Sequence, residues 1–182
     1  MEEFSELLAR EFAPFGALSE SQLHLLEMHY ELLLRWNRKL NLTRITNLRE
    51  AVQLHYCESL YLAEFLPKHP LRIADIGSGG GFPGIALGIY RADCLVDLVE
   101  SHQRKAVFLT ETVRQLGLTN VTVTAKRAQD VVGPYDWVVS RAVNPGEVMA
   151  LGLAPDVAIL GNTGRKLPWG ENRALFHVEH PN

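Results

Sequence analysis

The chain has 182 residues, 47% of them hydrophobic and 21% charged, with a formal net charge of −3. That length supports one sizeable apolar core with a small helical appendage and excludes a second full domain. The charge excludes the broad positive excess of a non-specific nucleic-acid binder, so contact with a polyanion must rest on local basic patches.

Residues 1–66 read as helices. Ser19 with Gln22 forms a capping-box pattern ahead of Leu23, Leu26, Tyr30, Leu33, Leu34 and Trp36, which recur at near-helical spacing. Asn47 with Glu50 repeats the device ahead of Val52, Tyr56, Leu60 and Ala63. Between the two helices, residues 36–44 are too polar for a core and rich in base. Pro67 and Pro70 mark a break, after which short apolar runs alternate with helical stretches such as Gln103 to Leu116. The runs 71–76, 94–99, 121–125, 137–140, 157–160 and 174–178 are strand candidates, and their alternation predicts βαβ units around a parallel sheet. The expected organisation is a helical segment over 1–70 and an α/β domain over 71–182. Cys57 and Cys94 lack Cys-x-x-Cys spacing, which argues for buried, reduced thiols rather than a disulfide framework or a zinc site. No apolar run approaches the roughly 18 residues of a membrane span and no signal-peptide pattern appears, so a cytoplasmic protein without a membrane partner is expected.

The first domain strand ends at Asp75 and runs into four glycines within five residues, Gly77-Ser78-Gly79-Gly80-Gly81. Such a loop lets the chain turn sharply into a helix while its backbone passes against a ligand. Gly79 to Gly84 matches G-x-G-x-x-G, the dinucleotide fingerprint, and alone that match is weak. Shifted two residues back, Asp75-x-Gly77-x-Gly79-x-Gly81 matches the acid-then-glycines loop of S-adenosylmethionine (AdoMet) sites, in which Asp75 can meet the methionine ammonium. Phe82 and Pro83 favour the second register, because a bulky ring crowds a diphosphate but can cover a sulfonium or adenine. Glu100 ends the second strand about twenty residues past the glycines, where a carboxylate can accept both ribose hydroxyls. Ala128 and Gln129 follow the third strand, where the adenine edge is commonly held. Arg141 ends the fourth, beside the expected switch point of the sheet.

These residues resemble the ribosomal RNA small-subunit methyltransferase G family, also called glucose-inhibited division protein B. The resemblance is carried by Trp36-Asn37 with Asn41-Leu42-Thr43, His55 with Glu58-Ser59, the run Asp75 to Ile85, and Ser140-Arg141-Ala142. It implies a class I, Rossmann-like sheet with helices on both faces and an antiparallel last strand. It also implies methylation of ring nitrogen 7 of one guanine in 16S ribosomal RNA, with AdoMet contacts at Gly77, Phe82, Ala128, Gln129 and Arg141. The chain departs from the family in two places. Glu58 replaces the usual Asp, and the stretch after 157–160 lacks the usual helix and strand, with Gly161-Asn162 in place of Lys-Gly. A direct hairpin to the last strand is therefore expected, leaving the sheet short of one edge strand.

Nitrogen 7 of guanine carries an exposed lone pair and loses no proton on attack, so the resemblance implies catalysis by orientation with no catalytic acid or base. His55 and Arg141 are candidates for positioning substrate. RNA contact is expected from Arg35, Arg38, Lys39 and Arg44, and from Lys126, Arg127, Arg165 and Lys166 near the site mouth. The expected partner is 16S ribosomal RNA or the 30S subunit, the expected state a monomer, and no metal is required. Rival readings are a methyltransferase for another RNA or a small molecule, and a ribosome-associated protein that has lost turnover.

Overall fold

A computed structural model describes residues 3–178. Helix α1 (Phe4–Phe12) precedes the long α2 (Glu20–Leu40), whose Ser19 and Gln22 close the expected capping box in both directions. Asn47 caps α3 (Leu48–Ala51) through the Glu50 amide. That helix continues through a π-helical run, Val52–Cys57, into α4 (Glu58–Phe65). The wide turn was not legible in the apolar period, and it carries the buried His55.

Strands β1 (Arg72–Ile76), β2 (Leu95–Val99), β3 (Val121–Thr124), β4 (Trp137–Arg141), β5 (Asp156–Gly161), β6 (Arg165–Lys166) and β7 (Ala174–Val178) form one sheet in the order β3-β2-β1-β4-β5-β7-β6. The first five pair in parallel, and β7 runs antiparallel beside β5. The expected hairpin is present, but the outer edge is not wholly missing. The two residues of β6 pair with Ala174 and Leu175 and form a remnant of that strand. Strand order reverses at β1, which opens a crevice at the carboxyl ends of β1, β2 and β4.

Side chains alternate between the faces of the sheet. Ile73, Leu98, Val139 and Leu160 join a large apolar cluster with α1, α2, α4, α5 (Gly84–Tyr90) and α6 (Gln103–Leu116). Ala74, Ile76, Val138 and Ile159 face a smaller cluster closed by Val148 of α7 (Pro145–Ala150). The N-terminal helices therefore share their core with the sheet. Cys57 and Cys94 are buried and unlinked. No helix among the described residues is long and apolar enough to cross a membrane.

Candidate functional site

The glycine loop is pinned at the switch point by the amides of Gly77 and Ser78, which donate to the Val99 carbonyl at 2.9 and 3.1 Å. Gly77, Gly79 and Gly81 adopt φ of 72°, 53° and 93°, a region that L side chains rarely enter. Gly77 is exposed, and a Cβ built on it would find only Val143 Cγ2, at 3.8 Å. Gly77 also lines a cleft of about 340 Å³ together with Ile76, Val99, Ser101, Lys126, Ala128 and Gln129. Predicted positions from the ends of β1 and β3 thus meet in one hollow, with Val99 and Ser101 from the end of β2 between them, of a size usual for small-molecule sites. Glu100 bridges two of those ends. Its Oε2 accepts from the Gly79 amide at 2.9 Å and its Oε1 from the His102 amide at 2.8 Å, which leaves a lone pair on each oxygen.

Asp75 lies on the opposite side of the loop, fully buried. Its Oδ2 accepts from the Gly84 amide at the start of α5, and its Oδ1 has no hydrogen-bond partner among the described residues. Burial pushes its carboxyl up to about 7, against the pull of the Gly84 amide. A Cβ at Gly84 would stand 2.5 Å from Oδ2, so the helix begins with the residue that permits this approach.

Phe82 is only 2% exposed, so its ring belongs to the interior rather than to the cleft wall. It stacks on His55 at 4.6 Å and meets Tyr56 and His29 at 5.0 Å, with the Arg141 guanidinium 5.0 Å from its centre. Arg141 Nη1 donates to His55 Nδ1. Because arginine only donates, that nitrogen must accept, and Nε2 carries the proton it gives to Thr43 Oγ1 at 2.8 Å. Burial, and then the Arg141 charge, lower His55 to about 2. The imidazole is therefore neutral and its lone pair is already engaged. His29, also neutral because burial lowers it to about 4, donates to the Gly80 carbonyl and accepts from the Tyr56 hydroxyl. It props the loop from below.

The Trp-Asn…Asn-Leu-Thr element is a clamp. The Asn37 side chain pairs with Thr43 as a strand would, accepting from its amide at 2.9 Å and donating to its carbonyl at 3.0 Å. Trp36 packs edge-on against Phe108 of α6, so its ring supports α2. Arg35, Arg38 and Lys39 are exposed on the last half of that helix.

A second cleft opens past β4. Ala142, held at φ 58°, separates a hollow containing Thr43, Arg44, His55 and Arg141 from one of about 440 Å³ containing Val143, Asn144, Asn162 and Thr163. Arg173 lines both and makes a bidentate ion pair with Glu58, at 2.7 and 2.6 Å. Lys126 and Arg127 are exposed at the first cleft, whereas Arg165 and Lys166 sit on the sheet edge, where Arg165 borders a separate hollow with Phe65 and His177.

A family model described as rRNA small subunit methyltransferase G matches residues 22–159. The chain belongs to that family. Ribosomal RNA small subunit methyltransferase G of Desulforamulus reducens is 37% identical over 140 residues, 73% of this chain and 58% of that protein. The same-named protein of Dichelobacter nodosus is 48% identical over 120 residues, covering 64% and 56%. The chain thus spans little more than half the length of these curated relatives. Its fold is similar to that of a SAM dependent methyltransferase from Aquifex aeolicus, at 20% identity and TM-score 0.52 over 66% of this chain and 71% of that one.

Sequence reasoning missed His29, Tyr56 and Arg173. His29 and Tyr56 lie on apolar helix faces and read as core. Arg173 had a signal: a glutamate replacing a shorter acid inside a helix that becomes buried needs a longer or differently placed cationic partner.

Proposed function

We propose that this chain binds AdoMet in the cleft at Gly77 and transfers its methyl group to ring nitrogen 7 of a guanine in bacterial 16S ribosomal RNA. The observation that carries the reading is the bare Gly77, lining one cleft with Ala128 and Gln129 at the sheet's switch point, with Glu100 hydrogen-bonded to the loop beside it, in a chain of this family. The donor set fits the group. Glu100 keeps one lone pair per oxygen for a ribose diol, and the turn Ala128–Asp130 offers backbone and amide groups to an adenine edge. Asp75, with Oδ1 unmet beneath the loop, lends charge toward an ammonium, and Gly79 admits the ligand without a side chain. Phe82 acts through the cluster that fixes the loop, and Arg141 supplies a cation beside it.

Bound AdoMet supplies an electrophilic methyl group on a sulfonium. The protein's task is then to orient the guanine and exclude water, since nitrogen 7 releases no proton as it attacks. The engaged lone pair of His55 agrees with a positioning role. Exposed Arg35, Arg38, Lys39, Arg44, Lys126 and Arg127 give local positive patches to a chain of net charge −3, which suits docking on an assembled 30S subunit in the cytoplasm, as a monomer. The test is transfer of tritium from labelled AdoMet to small-subunit RNA taken from a strain lacking the modification. Incorporation that weakens with added salt is expected, and label in another RNA, or in none, overturns the reading.

A further inference from the structure

The cleft past β4 abuts the one at Gly77, with Val143 as the divide: its Cγ2 lies 3.8 Å from the position a Gly77 Cβ would take. Anything seated against Ala142, Asn144 and Thr163 is therefore a neighbour of a ligand at Gly77. Arg173 reaches this place from the residue that precedes β7, and its side chain is 26% exposed.

Two arginines stand here in different electrostatic states. Arg173 gives Nε and Nη2 to the fully buried carboxylate of Glu58, which cancels most of its charge and locks the guanidinium plane. Nη1 has no protein partner among the described residues. What remains is a rigid donor on an ion pair of no net charge, poorer as a counterion for phosphate than a lone cation but suited to a carbonyl oxygen. Arg141, by contrast, meets the neutral His55 and keeps its cation for an anionic group.

We propose that Arg173 is a specificity-determining residue, whose Nη1 donates to O6 of the guanine entering the cleft between Ala142 and Thr163. The inference rests on the guanine N7 methyltransferase reading and adds the means of base choice to it. A donor aimed at position 6 accepts a carbonyl and repels the amino group of adenine, while nitrogen 7 next to it stays free to attack. Glu58 is the positioning residue that holds the donor in place.

Removing Arg173 alone would strand Glu58 in the core, so the informative variant is the double Glu58→Gln/Arg173→Gln, which buries no charge. Kinetics are compared on ribosomal RNA carrying guanine, or 2-aminopurine, which lacks O6, at the methylated position. The double variant is expected to melt as the wild type does, to bind AdoMet with unchanged affinity by calorimetry, and to lose about ten- to a hundredfold in kcat/KM on the guanine RNA. On the 2-aminopurine RNA the two proteins are expected to be equal. A double variant with wild-type kcat/KM, one that loses equally on both RNAs, or one that no longer binds AdoMet overturns the proposal while leaving the methyltransferase reading intact. A wild-type protein that binds AdoMet but methylates neither RNA overturns both.

Discussion

Gly77 and Asp75 stand two residues apart and do opposite things, one open to a cleft and the other sealed in the core. Gly77→Val forces a β-branched residue to φ near 72° and fills the cleft. The strain costs about 1–2 kcal/mol of stability, whereas calorimetry is expected to show AdoMet affinity falling by on the order of 100-fold. Retained affinity would put the ligand elsewhere. Asp75 makes a pH prediction. Its carboxyl is raised from 3.8 to about 7, so above pH 4 the unfolded chain loses a proton that the folded one keeps. Stability should therefore fall as pH rises from about 4 to 7 and then level off. Asp75→Asn removes that slope and stabilises the protein at pH 8 by up to roughly 4 kcal/mol, while weakening AdoMet binding because the carboxylate charge is lost. Urea unfolding at pH 5 and pH 8 checks the first half, and a variant with the wild-type slope would refute it.

Among the elements, the helix that carries His55 and the segment 41–45 are coupled through Thr43, whose hydroxyl also accepts from the Ile45 amide. Asn37→Ala removes both bonds of the clamp, at a cost of about 1–3 kcal/mol. Hydrogen exchange should show protection lost at residues 43–45 with the strands unchanged. Phe82→Ala deletes a ring packed against four side chains, and should destabilise by about 3–5 kcal/mol, read from the urea midpoint. The sheet strands were legible because each is a short apolar run bounded by turn residues, and both predicted N-caps are made. The π-helical run at 52–57 was not, since one wide turn shifts the apolar period by less than local composition varies. β6 escaped notice because two exposed residues, Arg165 and Lys166, carry no apolar pattern at all. Gly77 and Gln129 could be brought to one cleft from sequence because a close backbone approach dictates residue type, whereas the Phe82 ring, expected at the cleft, packs in the core. The ion pair of Arg173 with Glu58 joins positions 115 apart, which no local rule connects.

At the scale of the molecule, one apolar cluster runs from Phe4 through Phe108 to Leu175, so the helices and the sheet fold together. A chain beginning at residue 71 would expose Leu87, Phe108 and Leu160 and lose the His29 prop under Gly80. It is expected to show no cooperative thermal transition. The same architecture places the two clefts side by side across Val143, and we assign one to the cofactor and the other to the base. The most direct test of that arrangement is the identity of the base that receives tritium from labelled AdoMet, read by digesting the RNA to nucleosides. Label in 7-methylguanosine alone is the predicted result, and label in any other nucleoside would contradict it.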